Sequence, residues 1–323
     1  MKRTENKKAY GSKSLTETFP LASVIVGTRD RYQSLLRCLN SILSQNYSGL
    51  EVLVLDDCSQ KYHICDEVTR HIDDPRVKCF RSDQQLGVAA GRNFLMQKAQ
   101  GEIILVIDDD AYFESEDTLS NVMKIFEDKP DVVILACKVK NHGATERPYN
   151  VPFSQRVLKR FPSTINESRY VGYFLGGAHA IRRKVIEECG SYDPELFFGE
   201  EELDLSYRAI SRGWRIYYEP EILVHHVPQQ SVVGKRNRKD EELYHHVKNR
   251  FYLAFRYLPA RYIPLYLGIW LTKYLLDAIH GKAIDKYIGG IVAGIYWLRR
   301  IRRDPLNTEA IRYLQHNFGR LWY

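Results

Sequence analysis

Gly101-Glu102-Ile103-Ile104-Leu105-Val106-Ile107-Asp108-Asp109-Asp110 is the stretch whose reading decides the fold. An unbroken run of branched apolar residues this short is a strand buried on both faces, and it stops abruptly at three adjacent carboxylates. Like charges crowded at one strand end repel each other, so a cation is expected to meet them. A hard divalent ion, Mg²⁺ or Mn²⁺, takes oxygen ligands and keeps positions open for phosphates. The competing explanation is a solvated acidic turn that caps the next helix.

Upstream, the same pattern repeats. Ala22-Ser-Val-Ile-Val-Gly-Thr28 is a short buried strand, followed over 31–45 by Leu35, Leu36, Leu39, Ile42 and Leu43 at helical spacing. Leu50-Glu-Val-Leu-Val-Leu-Asp56-Asp57 is another strand closing on carboxylates, 77–80 a further short one, and Gly87 opens a helix running to about Lys98. Strand and helix alternating in this way predict an α/β fold with an open, mostly parallel sheet covered on both faces. Ligands of such sheets sit beyond the carboxyl ends of the strands. Thr28-Arg29-Asp30, Asp56-Asp57 and Asp108-Asp109-Asp110 all lie there. Neither a G-x-x-x-x-G-K-[ST] loop nor a G-x-G-x-x-G after the first strand is present, which removes the usual support for P-loop and dinucleotide readings.

Downstream, 118–126 reads as a helix and 132–139 as a strand. The Pro-, Asn-, Ser- and Arg-rich stretch 141–167 reads as a long mobile loop near the site. Residues 170–180 are strand-like, with Gly176-Gly177 permitting close backbone approach. In Glu200-Glu201-Glu202-Leu203-Asp204-Leu205-Ser-Tyr207-Arg208, helical spacing puts Leu203 and Tyr207 on one face and Glu201, Asp204 and Arg208 on another. Glutamates in a first turn ordinarily complement the helix dipole, yet this is a second dense carboxylate cluster bracketed by aromatic residues and glycine. Two short extended segments follow, the second ending in His225-His226, where an imidazole could stand beside a metal.

The charge is unevenly placed. Of a net +7 over 323 residues, positions 229–323 hold 17 Lys and Arg against 7 Asp and Glu, and the rest holds 30 against 33. Within the basic part, 234–239 reads as a basic loop and 243–258 as an amphipathic helix. The apolar runs 262–272 and 287–298 are edged by Lys and Arg and fall short of the roughly 20 residues that spanning requires. Such runs suit helices lying in the interface of an anionic membrane, with a lid packed on the rest of the chain or a homodimer contact as alternatives. Residues 1–18 are polar and lysine-rich without an apolar core, and are expected to be a mobile tail rather than a signal peptide. The six cysteines form no C-x-x-C pair and are expected to be buried reduced thiols of a cytosolic protein.

The order of these motifs resembles the family 2 glycosyltransferases, inverting enzymes of GT-A fold. The matching residues are Ser23-Val-Ile-Val-Gly-Thr28-Arg-Asp-Arg31, Val54-Leu-Asp56-Asp57-Cys-Ser59, the 87–93 helix start with Arg92, and Asp108-Asp109-Asp110 for the D-x-D. Gly176-Gly177 with Arg182-Arg183, Gly190-Ser-Tyr-Asp193, and Glu201-Glu202-Leu203-Asp204-Leu205 for the E-D-x-D-L continue the series. The resemblance implies a GT-A domain over 19–230 and a basic amphipathic helical region over 231–323. It implies that Thr28, Asp30, Asp56, Asp57, Arg92, Asp108 and Asp109 bind a nucleoside-diphosphate sugar, and that Asp110, with His225 or His226, holds Mg²⁺ or Mn²⁺. The general base falls on Glu202, with Glu201 and Asp204 as alternatives because Glu stands where Asp is usual. The acceptor implied is a saccharide or lipid-linked hydroxyl, in surface polysaccharide or glycolipid synthesis on the cytoplasmic side. Two other readings compete: a sugar-nucleotide pyrophosphorylase, of whose G-x-G-T-R start only Gly27-Thr28-Arg29 is present, and a non-catalytic nucleic-acid or membrane-binding module. Carboxylates at three strand ends oppose nucleic acid as a partner.

Overall fold

The computed structural model describes residues 21–144, 148–228 and 235–321, so the 1–18 tail lies outside the described residues. The first half alternates as read: β1 (Ala22–Thr28), α1 (Tyr32–Leu43), β2 (Leu50–Asp56), α2 (Ile64–His71), β3 (Val77–Arg81), α3 (Gly87–Lys98) and β4 (Ile103–Ile107). β5 (Ala111–Phe113), α4 (Thr118–Asp128), β6 (Val132–Asn141), β7 (Tyr149–Asn150), α5 (Gln155–Arg160), β8 (Arg169–Val171), β9 (Ala178–Arg182), α6 (Arg183–Cys189), α7 (Glu201–Ser211) and β10 (Arg215–His226) complete the sheet and its covers. Four helices close the chain: α8 (Lys235–Tyr257), α9 (Ile263–Gly281), α10 (Ile284–Trp297) and α11 (Thr308–His316).

The strands order as β3-β2-β1-β4-β9-β6-β10-β5, with β7 beside β6 and β8 beside β10. β1, β2, β3 and β4 are mutually parallel, and β9 runs antiparallel between β4 and β6. Successive strand residues serve opposite faces, which is why the middles of β1 and β2 and all of β4 are apolar on both. Val24, Val26, Val52 and Val54 join α1, α2 and α4 in one core, while Ile25, Leu53 and Leu55 join α3, α7 and the C-terminal helices in the other.

Register places the chemistry. Thr28 pairs with Asp56, so β1 and β2 end level. Antiparallel pairing of Ile107 with Ala178 sets the Gly176-Gly177 entry to β9 beside Asp108, whose N–H donates to the Gly177 carbonyl at 3.2 Å. Pairing of His226 with Ala111 brings the end of β10 against the acidic triplet.

Several expectations are corrected. Residues 170–180 are not one strand: β8 pairs with β10 while β9 lies between β4 and β6, so the chain must leave one position in the sheet and enter another. The two short segments after α7 are instead one twelve-residue strand, β10, whose register slips between Glu219 and Leu223, at Pro220. The 141–167 loop carries β7, α5 and a 3₁₀ turn over Pro162–Asn166, with 145–147 outside the described residues. The basic loop expected at 234–239 is helical backbone from Lys235 onward. Nor are all the thiols reduced: Cys65 in the first turn of α2 and Cys79 on β3 have Cα atoms 5.4 Å apart and form a disulfide, a proximity created by the fold and invisible in their spacing. Cys38, Cys58, Cys137 and Cys189 are free.

The C-terminal helices share a core with the sheet domain. Tyr313 Oη on α11 donates to the Val171 carbonyl at 2.9 Å, and Asn249 Nδ2 on α8 donates to the carbonyls of Leu196 and Gly199 at 3.0 and 2.9 Å. Among the described residues no helix is long and apolar enough to cross a membrane.

Candidate active site

The ends of β1, β2 and β4, the entry to β9 and the start of α7 converge. Thr28 Oγ1 donates to Asp109 Oδ2 at 2.6 Å. Arg31, just past the β1 turn, sets Nη2 2.9 Å from Asp109 Oδ1 and Nη1 2.6 Å from Asp110 Oδ2. His226 Nε2 lies 3.3 Å from the other oxygen of Asp110. Burial alone raises a carboxyl pKa, and Asp109, wholly enclosed, is pushed up to about 7 despite Arg31. At Asp110 burial is outweighed by the hydrogen bond from His226 and the Arg31 charge, which hold the carboxyl below its ordinary range. The same hydrogen bond raises the His226 imidazole against the effect of burial.

Arg92 on α3 joins the two acidic clusters. Its Nη2 reaches Asp108 Oδ1 at 3.2 Å and the Gly176 carbonyl at 2.9 Å, and its Nη1 reaches Glu202 Oε1 at 3.0 Å. Glu201 Oε1 stands 3.7 Å from Nη1. A guanidinium keeps its charge in any setting, so one this enclosed is tolerated only with its fork paired, and burial here is outweighed by Asp108 and then Glu202, which raise its pKa. Asp108 is the open member of the triplet, with 40 % of its side chain accessible. Glu201 is buried with Oε2 unpartnered; burial and then the neighbouring Glu202 charge push it up to about 8, against Arg92.

The remaining candidates are placed differently. Asp204 is committed on both oxygens, Oδ2 to Arg208 Nε and Nη2 at 2.9 and 2.5 Å and Oδ1 to the Tyr257 hydroxyl. Asp56 takes Arg81 Nη1 and the Ser59 N–H at 2.5 and 2.9 Å. Asp57 accepts the N–H groups of Leu86 and Gly87 at 2.7 and 3.1 Å, fixing the start of α3. Asp30, at φ 56°, accepts those of Gln60 and Lys61 at 2.8 and 2.6 Å and so ties the β1 loop to the β2 loop. Strand alternation separates the histidines. His226 meets Asp110, whereas His225 stacks on Tyr112 at 4.9 Å, with His142 Nε2 at 2.7 Å from its Nδ1.

Arg31 was missed as a site residue by sequence reasoning, although a cation just after the first strand, facing a triplet in need of one, was the available signal. In donor chemistry Asp108, Asp110 and His226 suit a hard divalent ion, being carboxylate oxygens with an imidazole. As they stand, among the described residues, no trio of His, Cys, Asp or Glu side chains is gathered tightly enough to hold one, and Arg31 occupies the Asp110 oxygen such an ion would take. A concavity of about 1110 Å³ lies at the amino ends of the strands, among Tyr47, Arg76, Ile103, Phe126 and Arg182, remote from these residues.

Comparison with known proteins adds to this geometry. The family model described as Glycosyl transferase family 2 matches residues 23–190. The putative colanic acid biosynthesis glycosyl transferase WcaA of Escherichia coli K12 is 37 % identical over 91 residues, 28 % of this chain and 33 % of that protein. The beta-monoglucosyldiacylglycerol synthase of Nostoc sp. PCC 7120 is 24 % identical over 348 residues, 96 % of this chain and 72 % of that one. Among solved structures, the mannosyltransferase PcManGT of Pyrobaculum calidifontis, in complex with GDP-Man and Mn²⁺, superposes with a TM-score of 0.55 at 21 % identity, covering 86 % of this chain and 88 % of that one.

Proposed function

This chain belongs to glycosyl transferase family 2, and from that premise we propose that it transfers a sugar from a nucleoside-diphosphate sugar to an acceptor hydroxyl with inversion at the anomeric carbon. The observation that carries the reading is the Arg92 bridge. One buried cation holds Asp108 Oδ1 at 3.2 Å and Glu202 Oε1 at 3.0 Å, so the D-x-D end of β4 and the acidic start of α7 form one site.

Glu202 is the general base. Its Oε1 is fixed by Arg92, while Asp204 has no oxygen to spare and Glu201 is enclosed. The Glu202 carboxylate takes the proton of the acceptor hydroxyl as that oxygen bonds to the anomeric carbon from the face opposite the diphosphate. The C1–O bond breaks in the same displacement, and its electron pair leaves with the diphosphate. Thr28, Asp30, Asp56 and Asp57 shape the nucleotide end by fixing the β1 and β2 loops and the start of α3; the open Asp108 faces the ribose and diphosphate, and the enclosed Asp109 acts behind it by holding Thr28 and Arg31. Asp110 and His226, once Arg31 gives up the Asp110 oxygen, would hold Mg²⁺ or Mn²⁺, which when bound supplies neutralisation of the leaving diphosphate. The acceptor is a saccharide or lipid-linked hydroxyl in surface polysaccharide or glycolipid synthesis at the cytoplasmic face. The colanic acid and glucosyldiacylglycerol relatives support that pairing.

The test is thermal stabilisation by UDP, GDP or dTDP with and without Mn²⁺, followed by hydrolysis of a panel of nucleotide sugars. Metal-dependent protection by a nucleoside diphosphate is expected. Glu202→Gln should retain that protection and lose transfer by ~10²–10⁴-fold. Unchanged turnover in Glu202→Gln would move the base to a neighbour, and absence of any nucleotide effect would remove the transferase reading of this site.

A further inference from the structure

Helices α9 and α10 are built inside out. On α9 the aromatic residues Tyr266, Trp270 and Tyr274 face inward around Arg250, whereas Leu265, Ile269, Leu276 and Ile279 face outward along one stripe. On α10 the outward stripe is Ile288, Val292 and Ile295; these seven aliphatic side chains are 40 to 62 % exposed. An amphipathic helix covering a core in water turns this class of residue inward. The arrangement is locked, because α10 lies directly on α8 through glycine: a Cβ at Gly294 would stand 2.5 Å from the Phe251 ring and one at Gly290 2.8 Å from Val247. The helix therefore cannot roll its stripe out of solvent without breaking that contact.

The charges bordering the stripes identify what covers them. Residues 259–304 contain 8 Lys and Arg against 3 Asp and Glu, and Arg261, Arg299, Arg300 and Arg303 are all exposed at the helix ends. Apolar faces rimmed by cations match acyl chains below anionic headgroups, where each basic residue gains from the surface potential. A second copy of this chain would bring the same excess of positive charge to its side of the contact.

We propose that the joint outer face of α9 and α10 seats the protein on the surface of an anionic lipid bilayer, lying in the interface without crossing it. The docking stands apart from the transfer reading. Its consequence, that the acceptor hydroxyl is carried on a lipid, rests on that reading. α10 also joins the turn that leads into α7, since Trp297 Nε1 donates to Glu195 Oε2 at 2.9 Å. The docked face and the segment that leads to Glu202 therefore belong to one packed unit.

The test is flotation of the full chain with vesicles of phosphatidylcholine alone or with about one-third phosphatidylglycerol, at low and high salt. Wild type should float with the anionic vesicles, less with the zwitterionic ones, and less at high salt. Ile288→Glu/Val292→Glu, at exposed positions the fold does not need, should lower partitioning by at least ~10-fold. Ile288→Leu/Val292→Leu should retain it. Stabilisation by nucleoside diphosphate is measured on every variant; vesicle binding without it would leave the docking intact and sink the transfer reading instead. The proposal is overturned if wild type floats with neither vesicle or if the glutamate variant floats like wild type. It is equally overturned if wild type is a dimer, without vesicle binding, that the glutamate variant splits into monomers.

Discussion

Glu200 Oε1 and Arg250 Nη2 are 2.5 Å apart in a pocket that leaves 5 % and 2 % of the two side chains exposed, and this pair joins the C-terminal helices to the helix bearing the proposed base. Arg250 also donates to the Tyr266 hydroxyl at 2.8 Å and lies 3.7 Å over Trp270. Glu200 sits at φ 70°, a left-handed conformation unfavourable for a side chain, immediately before α7. The pair thus holds the joint from which Glu201 and Glu202 project. Arg250→Met leaves the buried Glu200 carboxylate with only the His246 imidazole, 3.1 Å away, as a close side-chain partner, and its expected cost is up to about 3–5 kcal/mol of unfolding free energy, measured in urea. Glu200→Gln/Arg250→Met should recover part of that loss, because the uncompensated charge is gone. A single variant as stable as wild type would show that the pair does not anchor α8.

The Cys65–Cys79 bridge closes a loop with a sequence separation of 14. Loop-closure entropy assigns a bridge of that span about 3 kcal/mol. Cys65→Ala/Cys79→Ala should therefore unfold at lower denaturant than oxidised wild type, by about 2–3 kcal/mol. Dithiothreitol should bring wild type down to the variant and leave the variant where it is. Insensitivity of wild type to the reductant would mean that the bridge carries none of the stability.

The parts that could be read from sequence were those whose signal is local. β1, β2 and β4 are buried on both faces, and residues such as Val24, Ile25 and Val26 announce that by being apolar at every position. The carboxylates at their ends were equally plain. What stayed hidden depends on partners distant in the chain. Asp204 looks as available as Glu202 until Tyr257, fifty-three residues on, takes its second oxygen. Arg31 has no visible role until the sheet sets β1 beside β4. The break in 170–180 follows from which neighbours β8 and β9 choose, and Cys65 meets Cys79 only because α2 packs against β3.

Two adjacent glutamates give the stability profile opposite slopes. Glu200 is pulled from 4.5 down to about 2 because the Arg250 charge, then His246, outweighs burial; its contribution is present above pH 4.5 and lost as pH falls toward 2. Glu201 is pushed from 4.5 up to about 8 by burial and then by the Glu202 charge, so the folded state binds its proton more tightly than the unfolded one. Its contribution is complete below pH 4.5 and disappears as pH rises through 8. Glu201→Gln, which imitates the protonated form, should match wild type near pH 4.5 and gain on it at up to about 1.4 kcal/mol per pH unit on the way to pH 8. Denaturation at a series of pH values checks this, and parallel curves for the two proteins would contradict it.

Gly176 tests whether Glu202, the proposed base, must be held where Arg92 holds it. A Cβ built there would lie 2.2 Å from Glu202 Oε1 and 3.4 Å from Arg92 Nη1, with no comparable contact to the apolar core. Gly176→Ala must therefore displace the Glu202 carboxylate or tilt the guanidinium, while the carbonyl that accepts from Arg92 at 2.9 Å remains available. Misplacing a catalytic group by about 1 Å costs on the order of 10²-fold in turnover. The expected outcome is a fall of that size in kcat, with thermal stabilisation by nucleoside diphosphate little changed, because Thr28, Asp57 and Asp110 are untouched. Loss of nucleotide binding with kcat preserved would place the role of this contact at the donor rather than at the base.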